Sequence, residues 1–314
     1  MTGEKAQSSR KKYGMSSYRQ LKSQSAQEFL NDWQQWDGLK NQVLAEPYGW
    51  LSLTSFTWLT DEEQTTIPRF PGLWKLHGTR VTYIPESGFE AVNRGRVLDG
   101  PISFDVPVEG DVSVENIDAV GLRAELIKVT GGPSLFAVRI RDPQSAIRQS
   151  FSGVPHYPVD QRWVVPARFV PSTVSEVHSS ADRRKFSLEN RIGTLFVTID
   201  NVEYALVVYQ GHDDTTGRLK TDAEGRSSYQ EIREGTEGQG LVFFRDQTSS
   251  KQTYGGGRCL VLDVREPETL DYVDFNRAMN PTCAYNSYCT CPFAPLENTL
   301  PIAITAGELT PAVH

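Results

Sequence analysis

A mostly β architecture, an antiparallel sandwich or open barrel led by one amphipathic helix, is what this sequence predicts. Two observations predict it. Past residue 50 the apolar residues fall in runs of four to eight broken by Gly, Pro, Asn and Asp, the spacing of a strand meander. Before residue 50 they recur at spacings of three and four, the period of a helix with one buried face.

Residues 1–24 are rich in Ser, Lys, Arg and Gln and read as a disordered tail. Ser25 with Glu28 forms a capping box in sequence, and Phe29, Leu30, Trp33, Trp36, Leu39, Val43 and Leu44 make the apolar stripe of the helix. Pro47 and Gly49 stop it. Trp50–Leu59 reads as a strand or a short buried segment. Short strands follow at 79–84, 112–114, 122–127 and 135–140. Residues 163–170 form another strand, where Pro166 requires an edge or a bulge. Two hairpins come next. One joins 193–199 to 204–209 through Asp200-Asn201, and the other joins 241–244 to 258–263. Residues 301–305 supply a last strand, and 211–238 form a Gly- and charge-rich insertion loop too long for a hairpin turn. The expected organisation is a tail over 1–24, the helix and a small β lobe over 25–130, and the main β domain over 131–314.

Bulk properties narrow the function. The formal net charge of -7 disfavours nonspecific nucleic-acid binding. No apolar run approaches the roughly 18 residues a membrane helix needs. Lys5, Arg10, Lys11 and Lys12 have no apolar core behind them, so no secretory signal is expected. A cytoplasmic location, with Cys259, Cys283, Cys289 and Cys291 reduced, is the resulting expectation. There is no G-x-S-x-G elbow, no H-E-x-x-H and no dinucleotide fingerprint, so no cofactor is expected.

Three stretches carry groups that do chemistry. The first, Asp274–Cys291, packs Asn, Arg, Tyr and Cys into a segment with little apolar period. Asn276, Asn280 and Asn286 can read a polar ligand by donating and accepting, and Arg277 can clamp an anion through its planar fork. Tyr285 adds a phenol, and Asp274 and the nearby Glu297 are acid or base candidates. Cys283 becomes a nucleophile only with a lowered pKa. The alternative is that these groups satisfy the backbone of a long irregular crossing. The C-x5-C-x-C spacing does not match the paired C-x2–4-C of structural zinc, and no metal is expected. The second stretch runs from Arg141 to Arg168. Arg141 reads as part of an anion-binding wall and Asp142 as a general base; Asp160 and His156 are further base candidates, and buried ion pairing is the alternative. The third is Thr253-Tyr-Gly-Gly-Gly-Arg258, read as a tight bulged hairpin loop that aims Tyr254 and Arg258 at the same ligand. His212-Asp213-Asp214 cannot easily turn three consecutive side chains to one ion.

Together the strings Arg141-Asp-Pro-Gln-Ser, Phe151-Ser-Gly, Tyr157-Pro-Val-Asp160, Thr253-Tyr-Gly-Gly-Gly-Arg258, Asp274-Phe-Asn-Arg-Ala-Met-Asn-Pro-Thr-Cys-Ala-Tyr285 and Ala306-Gly-Glu308 resemble the domain-of-unknown-function family numbered 1684. The resemblance runs from about Trp33 to Glu308. It implies no particular reaction. Typical members lack the basic tail and have a much shorter loop than 211–238. The chemistry of the residues points to an enzyme acting on a small polar or anionic metabolite, by hydrolysis or by lyase- or isomerase-type proton transfer. The alternative is a noncatalytic ligand- or partner-binding β protein.

Overall fold

The computed structural model describes residues 17–105, 115–129, 135–179, 186–210, 220–221, 227–228, 238–289, 291 and 293–312. The architecture is mostly β, with antiparallel sheets, one nearly closed barrel and an N-terminal helix.

Two helices open the described chain. α1 (Tyr18–Ser23) is capped by Ser17, which accepts from the Gln20 amide at 3.2 Å while Gln20 returns a bond to the Ser17 amide at 2.7 Å. Its Leu21 is buried with Phe29 and Val164, and the Tyr18 amide donates to Asp271 at 3.0 Å. Residues 17–24, expected within the tail, are therefore docked. One capping box and one apolar contact suffice in a stretch that composition alone marks as polar. Residues 1–16 lie outside the described residues.

α2 (Ala26–Leu44) begins at the expected Ser25–Glu28 box. It buries Phe29, Trp33 and Leu44, while Leu39 is 58% exposed. The buried stripe is narrower than the predicted face, with Trp33 one turn after Phe29 and Leu44 three turns further on; Leu39 lies off it.

The N-terminal lobe packs two sheets. The strands are β1 (Leu53–Trp58), β2 (Gln64–Ile67), β3 (Phe70–His77), β4 (Arg80–Ile84), β5 (Ala91–Asn93), β6 (Arg96–Val97), β7 (Ile102–Asp105), β8 (Glu115–Ala119), β9 (Leu122–Val129) and β10 (Leu135–Arg141). One sheet runs β1-β10-β9-β8-β5-β6 and the other β2-β3-β4-β7, all pairs antiparallel. Trp74, Tyr83, Leu126, Phe136 and Val138 fill the core between them. The period of two then fixes what the opposite face of β9 and β10 carries. With Ala124, Leu126, Val138 and Ile140 turned inward, Glu125, Arg139 and Arg141 fall on the outer face. β10 completes this sheet, so the lobe runs to Arg141 rather than stopping at 130. The strand expected at 112–114 lies outside the described residues.

After α3 (Ala146–Ser150), the C-terminal half supplies β11 (Val164–Ser179), β12 (Phe186–Ile199), β13 (Val202–Gln210), β14 (Lys220–Thr221), β15 (Ser227–Ser228), β16 (Gln239–Phe244), β17 (Arg258–Asp263) and β18 (Tyr272–Asp274). Its main sheet runs β17-β16-β13-β12-β11-β18. The β12–β13 turn holds Asp200 and Asn201 at φ 49° and 63°, the left-handed values such a two-residue turn demands. Pro166 pairs at the edge contact with β18, and β11 is bulged between Pro171 and Val174. β14 pairs with β15; most of the 211–238 loop, with His212, Asp213 and Asp214, lies outside the described residues.

Two findings about the C-terminal strap depart from sequence. Residues 301–305 form no strand. Thr299 bridges Arg245, and Gln247 donates to Ile302 at 3.0 Å, but Pro301 has no N–H to extend a ladder. Asn298, fully buried, instead bridges two strands. It accepts from the Val207 amide at 2.7 Å and donates to Val207 O at 3.0 Å and Phe243 O at 2.8 Å. The β13–β16 ladder registers only at Tyr209–Leu241 and Gln210–Gly240, so one asparagine side chain takes the place of the rungs that follow.

Candidate functional site

The Asp274–Cys291 segment crosses from the C-terminal sheet to the outer face of the N-terminal lobe, and its two halves behave differently. The first half consists of short turns with their polar groups engaged. Asp274 accepts from the Asn276 amide at 2.9 Å and from Asn276 Nδ2 at 2.8 Å. Asn276 also exchanges two bonds with the Asp160 backbone, donating at 2.9 Å and accepting at 3.0 Å. Burial pushes the Asp274 carboxyl up, against the lowering effect of Asn276 and Arg277. Arg277 pairs with Asp32 at 2.5 Å and lies over the Trp36 ring, and Trp33 Nε1 donates to Asn276 O at 2.9 Å. α2 is thus the lid on this half.

Asn280 and Tyr285 converge on Glu308, a residue not singled out as a site from sequence. Glu308 Oε2 accepts from the Asn280 amide at 2.5 Å and from the Tyr285 hydroxyl at 3.0 Å, while Oε1 pairs with Lys40 of α2. Burial, then Glu308, hold the Tyr285 phenol well above its ordinary pKa. Asn280 Nδ2 donates to Leu309 O at 2.8 Å. Its place in the Ala306-Gly-Glu308 string was the available signal.

Arg258 serves the same strap. It is 1% exposed, donates to Asp246 at 2.7 Å and to Ile304 O at 3.0 Å, and reaches Ala306 O as well. Gly257 before it has φ +99°, and a Cβ there would stand 2.6 Å from Phe244 O, so the turn requires glycine. Asp142 caps a local turn, accepting from the Gln144 amide at 2.8 Å, and pairs with Arg69 at 2.9 Å. Glu297 is exposed and 3.8 Å from Arg191. The three carboxylates read as catalytic from sequence therefore stand at three separate places. Arg141 and Arg258 likewise turn to different partners.

The second half of the segment meets Arg141. Asn286 Nδ2 donates to Trp50 O at 2.8 Å, and Tyr285, Cys289 and Cys291 pack with Leu44, Trp50, Leu51 and Leu53. Arg141 is 1% exposed, pairs with Glu125 at 2.9 Å, donates to Gly49 O at 2.9 Å and lies over the Trp50 ring. Beside it stands Arg139, which sequence reasoning passed over. Arg139 is 8% exposed, between Trp50 (5.4 Å to the ring centroid) and Phe56 (5.9 Å). Its Nε has no hydrogen-bond partner, and none of its nitrogens lies within ion-pair distance of a carboxylate among the described residues. A signal was present: Phe136-Ala-Val-Arg-Ile-Arg141 sets two arginines at period two in an otherwise apolar strand.

Arg139 faces sulfur. Cys291 Sγ accepts from the Cys283 amide at 3.2 Å and contacts Thr282 Oγ1 at 3.1 Å. The Cys283 side chain beside it holds the Cys291 thiol below its ordinary value. Burial opposes this, while Thr282, the Cys283 amide and Arg139 add to it. The contact with Cys291, and then burial, push Cys283 far up. The Tyr254 hydroxyl lies 3.6 Å from Cys283 Sγ and 3.5 Å from Cys283 O, and burial followed by the Cys283 charge raises its pKa, so it stays a phenol at neutral pH. Tyr254 thus reaches the segment, whereas Arg258 turns to Asp246 and the C-terminal strap.

For metal ligands, one group among the described residues brings three donor atoms within 4.8 Å of one another: Asp61, Glu62 and His77. All three are exposed; His77 Nδ1 lies 2.6 Å from Glu62, and Asp61 accepts from the Gly78 amide at 2.9 Å. Among the described residues no helix is long and apolar enough to cross a membrane.

Fold and site define a mostly β protein in which a C-terminal strap carries thiols and tyrosines onto an arginine-bearing sheet face of an N-terminal lobe. The family described as "Protein of unknown function (DUF1684)" matches residues 149–309, slightly more than half of the chain, and the chain belongs to that family. The match begins after the N-terminal lobe, so the stretch from Trp33 to Arg148, included in the sequence resemblance, lies outside it. Among solved structures, the solution NMR structure of an uncharacterized protein of Haloarcula marismortui is 23% identical, covering 53% of this chain and 81% of that one, with a TM-score of 0.35. No curated protein matches the chain.

Proposed function

We propose that the protein is an enzyme acting on a small anionic metabolite, whose negative group is held by Arg139 between the rings of Trp50 and Phe56. Arg139 carries this reading. The residue is more than nine-tenths buried, and a buried charge without a hydrogen-bonded counter-ion is costly. A carboxylate or phosphate supplies the planar, two-point partner that the guanidinium lacks. The aromatic rings on either side lower the local dielectric and strengthen that bond. Cys291, whose thiol Arg139 helps to hold below its ordinary value, and the Tyr254 phenol beside Cys283 supply a nucleophile and a proton donor, which suit hydrolysis or proton transfer.

Asp142, Asp274 and Glu297 have partners other than Arg139, which favours the second reading, a noncatalytic binder of the same anion. One experiment separates the two. Purified protein is titrated with inorganic phosphate, acetate and malonate while thermal unfolding is followed. A ligand at one hundred times its Kd adds about 2.7 kcal/mol of stability. Arg139→Met should abolish the response. Hits are then incubated with the protein and followed by proton NMR: consumption speaks for the enzyme, recovery intact for the binder. A response that survives in Arg139→Met removes Arg139 as the anchor and the reading with it.

A further inference from the structure

We propose that Cys283 and Cys291 form a redox-active dithiol that a hydroperoxide oxidises to an intramolecular disulfide. This rests on the contacts around the Cys291 sulfur and not on the anion reading.

The four cysteines divide by their surroundings. Cys259 sits on β17, buried among Val207, Tyr209 and Phe243, with its thiol 3.6 Å from Leu260 O. Cys289 is buried and donates to Asn286 Oδ1 at 3.2 Å; this contact favours the protonated thiol, and burial raises its pKa to about 12. Both are inert by position. Cys291 is the reverse case, since the groups around its sulfur donate. The Cys283 amide is 3.2 Å away and the Thr282 hydroxyl 3.1 Å. Arg139 adds positive charge to the surroundings of this sulfur. These contacts stabilise a thiolate, the form that attacks peroxide.

Cys283 is the partner. It is half-buried where Cys291 is buried, its backbone amide stands 3.2 Å from the Cys291 sulfur, and the Tyr254 hydroxyl lies 3.6 Å from its own sulfur. A thiol on the residue whose amide already touches the Cys291 sulfur is placed to resolve it.

The step balances as follows. The Cys291 thiolate attacks one oxygen of the hydroperoxide O–O bond. That bond breaks, a sulfenic acid forms, and the second oxygen leaves as alkoxide or hydroxide and takes up a proton. The Cys283 thiol loses its proton and attacks the Cys291 sulfur. Hydroxide leaves and is protonated to water as the S–S bond forms. Two thiols give up two electrons and two protons, and one hydroperoxide becomes an alcohol (or water) plus water. Two equivalents of a small thiol reverse the reaction.

The test uses the full chain, fully reduced, treated with one equivalent of hydrogen peroxide and then alkylated with N-ethylmaleimide. Chymotrypsin cuts after Tyr285 and Tyr288 and so separates Cys283 from Cys289 and Cys291 before mass mapping. The expected product is a Cys283–Cys291 crosslink, with Cys259 and Cys289 alkylated. Loss of the Cys291 thiol should outrun that of Cys289 by at least about tenfold, the value of one pKa unit in thiolate population. Cys283→Ser should stop at a dimedone-reactive sulfenic acid on Cys291, and Cys289→Ser should crosslink like the wild type. Equal oxidation of all four thiols, or a crosslink through Cys289, would overturn the proposal. The wild-type map decides the matter even if a variant fails to fold.

Discussion

Arg258 and Arg139 are both buried guanidiniums lying against aromatic rings, yet their surroundings are opposite. Arg258 is paired with Asp246, reaches three backbone carbonyls of the C-terminal strap and stacks on Phe244. Arg139 has two aromatic neighbours and no hydrogen-bonded acceptor among the described residues. A buried cation paired with a carboxylate holds a fold together; one without such a partner holds a place for something that arrives later. Residue type cannot tell the two apart, because both are arginines in apolar strands.

The largest expected effect breaks the satisfied side. Arg258→Met leaves the Asp246 carboxylate buried without its cation and frees the strap carbonyls. Removal of one partner of a buried pair costs about 3–5 kcal/mol. Urea unfolding should show this as a lowered midpoint, with anion binding at Arg139 unchanged in the fraction still folded. A loss under about 1 kcal/mol, the size of a surface pair, would mean that the strap does not depend on this contact.

Asn298 comes next, since it belongs to the satisfied class without carrying charge. Asn298→Ala leaves the Val207 amide and two carbonyls unpaired inside the sheet, at a cost of about 2–3 kcal/mol. Hydrogen exchange should report the loss locally, through faster exchange at Val207 and its β13 neighbours. Exchange that speeds up everywhere alike would show Asn298 to be a global packing residue instead of a substitute for ladder rungs.

The same contrast explains what was legible in the sequence. Periodicity gave the helix from its Ser25 cap to Leu44, the two hairpins and the β character throughout, because each is set by neighbours a few residues apart. The Asp274–Cys291 segment was legible as dense in polar groups, but which of them are engaged is decided by residues far away in sequence. Asp32 takes Arg277, Asp160 takes Asn276, and Glu308 takes Asn280 and Tyr285. Long-range pairing leaves no local trace, so Arg277 and Asn276 read as ligand groups when they are tied to α2 and to the 160 turn. Arg139 was missed for the converse reason. A strand arginine opposite a glutamate reads as an ion pair, and only the outer-face packing shows that Arg141 takes the hydrogen bond with Glu125.

The smallest expected effect on stability is the sharpest test of the comparison. Arg139→Met removes a buried charge that makes no hydrogen bond, and replacing such groups by apolar ones of similar volume is often neutral or stabilising. The expected change at neutral pH is under about 1 kcal/mol, beside a complete loss of the anion response. Glu125 supplies the sign with pH. Burial pushes its carboxyl up, but Arg141, Arg139 and Arg123 outweigh burial and hold it below its ordinary value of 4.5. A depressed carboxylate contributes stability that is present above 4.5 and is lost as pH falls through the folded value. Without Arg139 the folded pKa of Glu125 moves back toward 4.5, so less stability is lost on acidification. Denaturation midpoints measured from pH 7 down to pH 3 should therefore cross or converge, with Arg139→Met gaining on the wild type in acid. If the variant instead falls further behind as the carboxylate protonates, Arg139 has a partner that stabilises the fold, and the difference between the two arginines is gone.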